Sequence, residues 1–297
     1  MLVLLLAAHA AAASCPPNGP VTVDAHAIGC ADLRLTVVSD NVTLVIEGAT
    51  GTISVTSDAA GTTLRLLDST VTGNLTLRGP HAFADVRRST VTGADVVVLT
   101  GARNATIAVV DSMLTGAVVA SVLSSAVGVA LTIANSTLSA TRYAASVVGA
   151  TIRDVAIVVT DSRLTIAGAD NVGIVALAAD TVFNAAVNVT ASSVTCKAGS
   201  AVGVLGAGSY IGPVTWTNVT VSAALANVTS TAGSYVGILG AGSSGGAVSW
   251  TNVTVSAALA NVTSTATGSY VGVLGAGSNN GAVTWTNVTV SAALANV

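Results

Sequence analysis

Ten Asn-x-Thr triplets are the commonest chemistry-bearing pattern in the chain. They begin at Asn41, Asn74, Asn104, Asn135, Asn188, Asn218, Asn227, Asn252, Asn261 and Asn287, and none has proline in the middle. Such a triplet is an acceptor for an N-linked glycan in a secretory compartment. The middle residue is usually valine. In a strand, residues i and i+2 share a face, so Asn and Thr would point outward over an inward valine. The bland alternative is that N-V-T is simply a good strand sequence whose asparagines stack. On neighbouring coils Asn218, Asn252 and Asn287 would lie about 4.8 Å apart. That is too close for each to carry a glycan. Partial occupancy is therefore expected, favouring Asn41, Asn74, Asn104 and Asn135, which fall in less regular repeats.

Other reactive residues are sparse. Cys15 and Cys30 are spaced to close a short loop by a disulfide in an oxidising compartment. Cys196 is left over, as a buried small hydrophobe or as a partner for another chain. Asp68, Asp111 and Asp161 recur at one repeat position, where a carboxylate ladder would bind Ca²⁺ or supply an acid and a base. Arg88 and Asn135 interrupt that ladder, and the Ser/Thr neighbours make it read as turn chemistry. His26 and His81 lack metal-ligand spacing. Gly240-Ala-Gly242-Ser-Ser-Gly245 fits the dinucleotide fingerprint, but a strand follows it instead of a helix and no acidic residue comes later. These glycines read instead as corners. No catalytic, cofactor or metal site is assigned, and the chain is expected not to be an enzyme.

Composition sharpens these exclusions. Of 297 residues, 52% are hydrophobic and only 8% charged. A typical soluble domain carries about 25% charged residues. The net charge of −3 argues against a nucleic-acid partner. Every charged residue lies at or before Lys197, and the last histidine is His81. The final third of the chain therefore has no carboxylate, imidazole or amine to offer. Leu2 to Ala13 is apolar apart from His9 and ends in small residues, as a signal peptide does. Gly116 to Ala134 is uncharged but interrupted by Ser, Thr and Gly, and reads as two buried strands rather than a membrane span.

These residues are positioned by repeats. The tryptophans Trp216, Trp250 and Trp285 are 34 and 35 residues apart within near-identical copies of WTNVTVSAALANV. Older copies begin DSTVTG at Asp68, RSTVTG at Arg88, DSMLTG at Asp111, NSTLSA at Asn135 and DSRLTI at Asp161. Their shared serine advances by 20, 23, 24 and 26 residues. Periods of this size mark stacked arrays. Within a copy, apolar and polar residues alternate with period two, the strand signature. VTWTNVTVS, ANVTST and SYVGVLG read as three strands of one coil. The coils hydrogen-bond in parallel register, with valines inside and Trp216, Trp250 and Trp285 in one stack. Tyr235 and Tyr270 form another. Thr-Trp-Thr at Thr215 and Thr284, and Ser-Trp-Thr at Ser249, also suggest hydroxyl rows of the kind that bind ice.

With these repeats the chain resembles the parallel β-helix, or pectin-lyase-like, superfamily, and more narrowly the large signal-bearing β-helix surface proteins of protists. The resemblance implies an all-β, right-handed parallel β-helix (β-solenoid) with about three short strands per coil. The expected organisation is a signal peptide at 1–13, an N-terminal cap and first coil at 14–40, degenerate 20–26-residue coils at 41–187, and near-identical 34–35-residue coils at 188–297. The last copy stops at Val297 where earlier ones continue NVTST, so the array reads as truncated mid-repeat. Membrane attachment would need a part beyond it. The expected role is a secreted or cell-surface repeat glycoprotein in adhesion, coating or recognition, with an extracellular glycan or protein as ligand. The alternatives are a polysaccharide lyase or hydrolase on the same fold, and an ice-binding solenoid.

Overall fold

The computed structural model describes residues 15–167, 175–178, 180–196, 201–209, 214–224, 226–230, 235–243, 247–258, 261–264, 270–278 and 282–293. Of these, 175–178, 196, 201–209, 228, 230, 235–243, 261–262, 264 and 270–278 are described by backbone alone. The leader-like segment 1–13 lies outside them. Every strand pairing is parallel, and the strands form two sheets, of 12 and 19 strands. Each passage of the chain adds one rung. It lays a strand on the first sheet, such as Thr63–Leu67, then two short strands on the second, such as Thr70–Thr72 and Leu75–Leu77. The two ladders of the second sheet are one sheet because Thr50–Ser57 runs through both, pairing with Thr70–Thr72 and with Leu75–Leu77. The segments read as three strands of a late coil are Val214–Ala224, Asn227–Ser230 and Tyr235–Ser243. Gly116 to Ala134 holds parts of three strands, not two: Met113–Val118, Ser121–Leu123 and Ala126–Ala134. Among the described residues no helix is long and apolar enough to cross a membrane.

The turning points explain the repeat sequences. In one column stand Gly48, Asp68, Arg88, Asp111, Asn135, Asp161 and Ala191. All have positive φ, between 46° and 60°. Gly and Asn or Asp visit this region most readily, which is why the repeats open on Asp or Asn. A left-handed residue breaks the period-two alternation. The residue before it and the residue itself both face out, and the next returns to the core. Val109 is buried, Val110 and Asp111 face outward, and Ser112 is buried again. A second column turns the chain on the other side of the first sheet. It runs Asn41, Gly61, His81, Asn104, Gly128, Asp154, Asn184, Asn218, Asn252 and Asn287, with φ from 50° to 67°.

The expectation that the AGS segments form corners is corrected here. Gly240 and Gly242 lie inside the strand Tyr235–Ser243, in register with Gly206 and Gly208 before them and Gly275 and Gly277 after. The corners do not need glycine, because Asn and Asp supply the same backbone conformation.

The repeat serine solves a problem that the corner creates. Ser69, Ser89, Ser112, Ser136, Ser162 and Ser192 are all buried and stacked. Each hydroxyl donates to the carbonyl two residues back, as Ser112 Oγ does to Val110 O at 2.7 Å. Each hydroxyl also accepts a backbone N–H from one rung earlier, that of Ala49 at Ser69 and that of the preceding serine at the others. Ser89 N reaches Ser112 Oγ at 3.2 Å, and Ser112 N reaches Ser136 Oγ at 3.1 Å. Buried N–H groups that would lack partners at the bend are thus paired, while the carbonyls also accept backbone N–H groups of the preceding rung. Ser192 belongs to the column although Ala191 replaces its Asp, with a separation of 30 residues from Ser162.

Aliphatic side chains fill the interior between the sheets, joined by Trp216 and Trp250, both fully buried. The expected tryptophan stack is present. Trp216, Trp250 and Trp285 have ring centroids 5.6 Å apart, with interplanar angles of 14° and 6°. The indole Nε1 atoms of Trp216 and Trp250 are buried without a partner. Tyr235 and Tyr270 are register partners, and their side chains lie outside the described residues.

Ser112→Ala leaves the Ser89 N–H unpaired in the core, while the Val110 carbonyl keeps the N–H of Arg88. It is expected to cost about 1–3 kcal/mol in urea unfolding. Ser139→Ala, on the outer face, should stay within about 0.5 kcal/mol. At the corner, Asp161→Val forces a β-branched residue to positive φ and should cost about 1–2 kcal/mol, whereas Asp161→Gly should cost clearly less. Equal melting of the two Asp161 variants would show that backbone conformation does not govern the corner.

Candidate functional site: the threonine face and the corner columns

The outer surface of the second sheet carries two parallel columns of hydroxyls. Register places Thr50, Thr70 and Thr90 in one column, with Thr52, Thr72 and Thr92 beside them. The second column continues through Thr115, Ser139, Thr165 and Thr195. In the first column Met113 and Arg163 interrupt the hydroxyls. The residue between each pair, such as Val71, Val91 or Leu114, is buried and holds the strand to the core. None of the side-chain hydrogen bonds among the described residues uses the hydroxyls of Thr70, Thr72, Thr90 or Thr92. They face outward with their bonding capacity unspent. A shallow groove beside them is lined by Arg88, Thr90, Asp111, Met113, Asn135 and Thr137.

This face lies within the TVT of the DSTVTG repeats, whereas sequence reasoning looked for hydroxyl rows in the Thr-Trp-Thr segments. Those segments do form short rows. Thr215 pairs with Ser249 and then Thr284, with Trp216 and Trp250 buried beneath and Trp285 exposed on the last described rung. The longer array went unnoticed because its middle rungs read Met-Leu-Thr and Arg-Leu-Thr. Only register shows that these continue T-V-T.

The recurring aspartates do not converge. Asp68, Asp111 and Asp161 occupy the corner column with Arg88 and Asn135 between them. Arg88 binds Asp68 in a two-pronged pair, with Nε to Oδ1 at 2.6 Å and Nη2 to Oδ2 at 2.7 Å. Asn135 Nδ2 donates to Asp111 Oδ1 at 2.7 Å. The hydrogen bonds from Arg88 lower the Asp68 carboxyl below its ordinary value, and Asp68 raises the Arg88 guanidinium in return. His26 sits 3.4 Å from Glu47. His81 is a corner residue of the second column. Among the described residues no three His, Cys, Asp or Glu side chains gather in a way that would hold a metal ion.

The asparagines of the triplets fall into distinct settings. Asn41, Asn104, Asn218, Asn252 and Asn287 all stand in the second left-handed column. Asn41 and Asn104, in the degenerate repeats, therefore share one column with the late copies. The reason is that corner geometry is kept while repeat length and residue type drift. Asn218 is likewise a bend residue at φ 55°, not an extended one. Asn135 is in the other corner column. Asn188 and Asn227 face outward from strands. Asn74 precedes Leu75–Leu77 and accepts the Asp95 N–H at 3.1 Å. The side chain of Asn261 lies outside the described residues, as does that of Cys196.

Cys15 and Cys30 are joined, with Cα atoms 5.6 Å apart. Cys30 is fully buried at the foot of the column that continues through Ala49 to the serines. The link therefore ties the start of the described chain to the inner corner. Comparison with family models, with characterised proteins and with solved structures finds no match to this chain.

Arg88→Ala should return the Asp68 titration toward that of an ordinary aspartate, read by carboxyl NMR. Because the folded value is depressed, the pair's stabilisation is present above the unfolded pKa and is lost as pH falls through the folded one. Acid unfolding of Arg88→Ala should lack that loss. An unmoved Asp68 titration would mean that the pair has no electrostatic weight in solution.

Proposed function

We propose that the chain is a secreted or cell-surface repeat glycoprotein that acts without catalysis in adhesion, coating or recognition. In this reading it is a right-handed parallel β-helix with about three short strands per coil, akin to the pectin-lyase-like superfamily and to protist surface proteins. The observation that carries the proposal is the threonine face. It offers many similar, weak, uncharged contacts in a row, which suits multivalent attachment more than turnover of one substrate. The partner is an extracellular glycan or protein. Nucleic acid is disfavoured, because phosphate binding draws on clustered Lys and Arg, and the net charge here is −3.

The same face favours a second reading, binding of ordered water at an ice surface. Its hydroxyls and methyls repeat about every 4.8 Å across strands and roughly every 6.7 Å along them, a two-dimensional lattice.

Purified protein is expected to bind on arrays of extracellular glycans and proteins. Thr70→Lys combined with Thr92→Lys should abolish binding without changing the melting curve. Binding that survives both substitutions would remove the threonine face from the proposal. Cleavage of an acidic polysaccharide, with or without Ca²⁺, would replace it with a lyase or hydrolase. Thermal hysteresis lost in the same variant would select the ice reading.

A further inference from the structure

The asparagine amides of the second corner column are held in two ways. In the late copies they bond to one another. Asn252 Nδ2 donates to Asn218 Oδ1 at 3.1 Å, and Asn287 Nδ2 donates to Asn252 Oδ1 at 3.2 Å. Asn252 is thus used at both ends. In the early copies the next rung carries glycine instead. A Cβ at Gly61 would collide with the Asn41 amide oxygen, and one at Gly128 with that of Asn104. Each oxygen lies over its glycine. Among the described residues neither Nδ2 has a protein partner.

We propose that Asn41 and Asn104 are the column's glycan-bearing residues, and that Asn252 and Asn287 stay bare in the folded protein. This rests on the glycoprotein reading above. The modification joins Nδ2 to C1 of an oligosaccharide delivered as a lipid pyrophosphate. The C1–O bond to pyrophosphate breaks, the lipid pyrophosphate leaves with the bonding pair, and one Nδ2 proton passes to a base. Nothing is oxidised or reduced. At Asn41 and Asn104 that nitrogen is without a protein partner and the next rung is empty of side chain, although His81 stands on the rung before Asn104. The two residues are three rungs apart, about 14 Å at the parallel-strand spacing, so two sugars fit. At Asn252 a glycan would sit about 4.8 Å from an asparagine on each side and disrupt both amide hydrogen bonds.

The test is site-by-site occupancy. The full chain is secreted from a glycosylating host behind a heterologous signal, and the folded fraction is analysed by peptide mass spectrometry with isotope labelling on deglycosylation. Occupancy at Asn41 and Asn104 should exceed that at Asn252 roughly tenfold, the weight of the amide bonds lost. Gly128→Asn places an amide beside Asn104 without creating a new triplet, and should lower occupancy there several-fold while leaving Asn41 unchanged. Asn252→Gly keeps a residue suited to positive φ and should raise occupancy at Asn218. A chain as fully modified at Asn252 as at Asn104 overturns the inference alone. A chain bare at every triplet overturns it together with the glycoprotein reading.

Discussion

The structure depends on turning every rung at the same place. In a parallel stack the backbone of each rung is hydrogen-bonded to the rungs on either side, so a bend in one must be matched in all. Two columns of left-handed residues meet that demand. A residue at positive φ sends two successive side chains outward and restores the inward phase after them. The core stays continuous although the repeat length grows from 20 residues between Ser69 and Ser89 to 35 between Asn252 and Asn287. Extra length is taken up elsewhere in the rung, while the corners keep register.

The serine column is the internal half of the same device. Bending a strand around a core turns some backbone groups toward an interior that holds no water, and an unpaired buried group costs about 1–3 kcal/mol. A hydroxyl both donates and accepts, so one serine per rung takes up the preceding rung's N–H and donates to the carbonyl two residues back on its own rung. Small size matters equally, since the column is closed at one end by Cys30 and Ala49 and is followed by Ala226. A larger side chain would push the corner open.

Much of the fold was legible because period two, repeat spacing and the D-S-T signature all report on it directly. The tryptophan stack followed from the 34- and 35-residue spacing alone. The second corner column was not legible. Its members Gly61, His81, Asn104 and Asp154 differ in residue type and share only tolerance of positive φ. That is a property of the backbone, and it shows only when register aligns them. The threonine face was half legible. Its best rungs are written plainly as TVT, but Met113 and Arg163 hide its continuation. The glycine-rich strands were misread because glycine signals a turn when taken alone, whereas here it pairs with glycine in the rungs on both sides.

Register also accounts for the uneven charge of the chain. When a repeat is copied almost verbatim into a parallel stack, each residue lands on its own copy. Two like charges at the rung spacing repel by about 1 kcal/mol even in water, and every further copy adds another such pair. Older repeats escape by varying, so that Asp68, Arg88, Asp111 and Asn135 alternate into an ion pair and an amide bond. Near-identical repeats have no such escape and must use side chains that complement themselves. Asparagine does so, since its amide donates to one neighbour and accepts from the other. Tryptophan does so by offset stacking. The absence of charge after Lys197 is on this account a consequence of recent duplication under strict register. The outward chemistry left to those repeats is that of amides and hydroxyls.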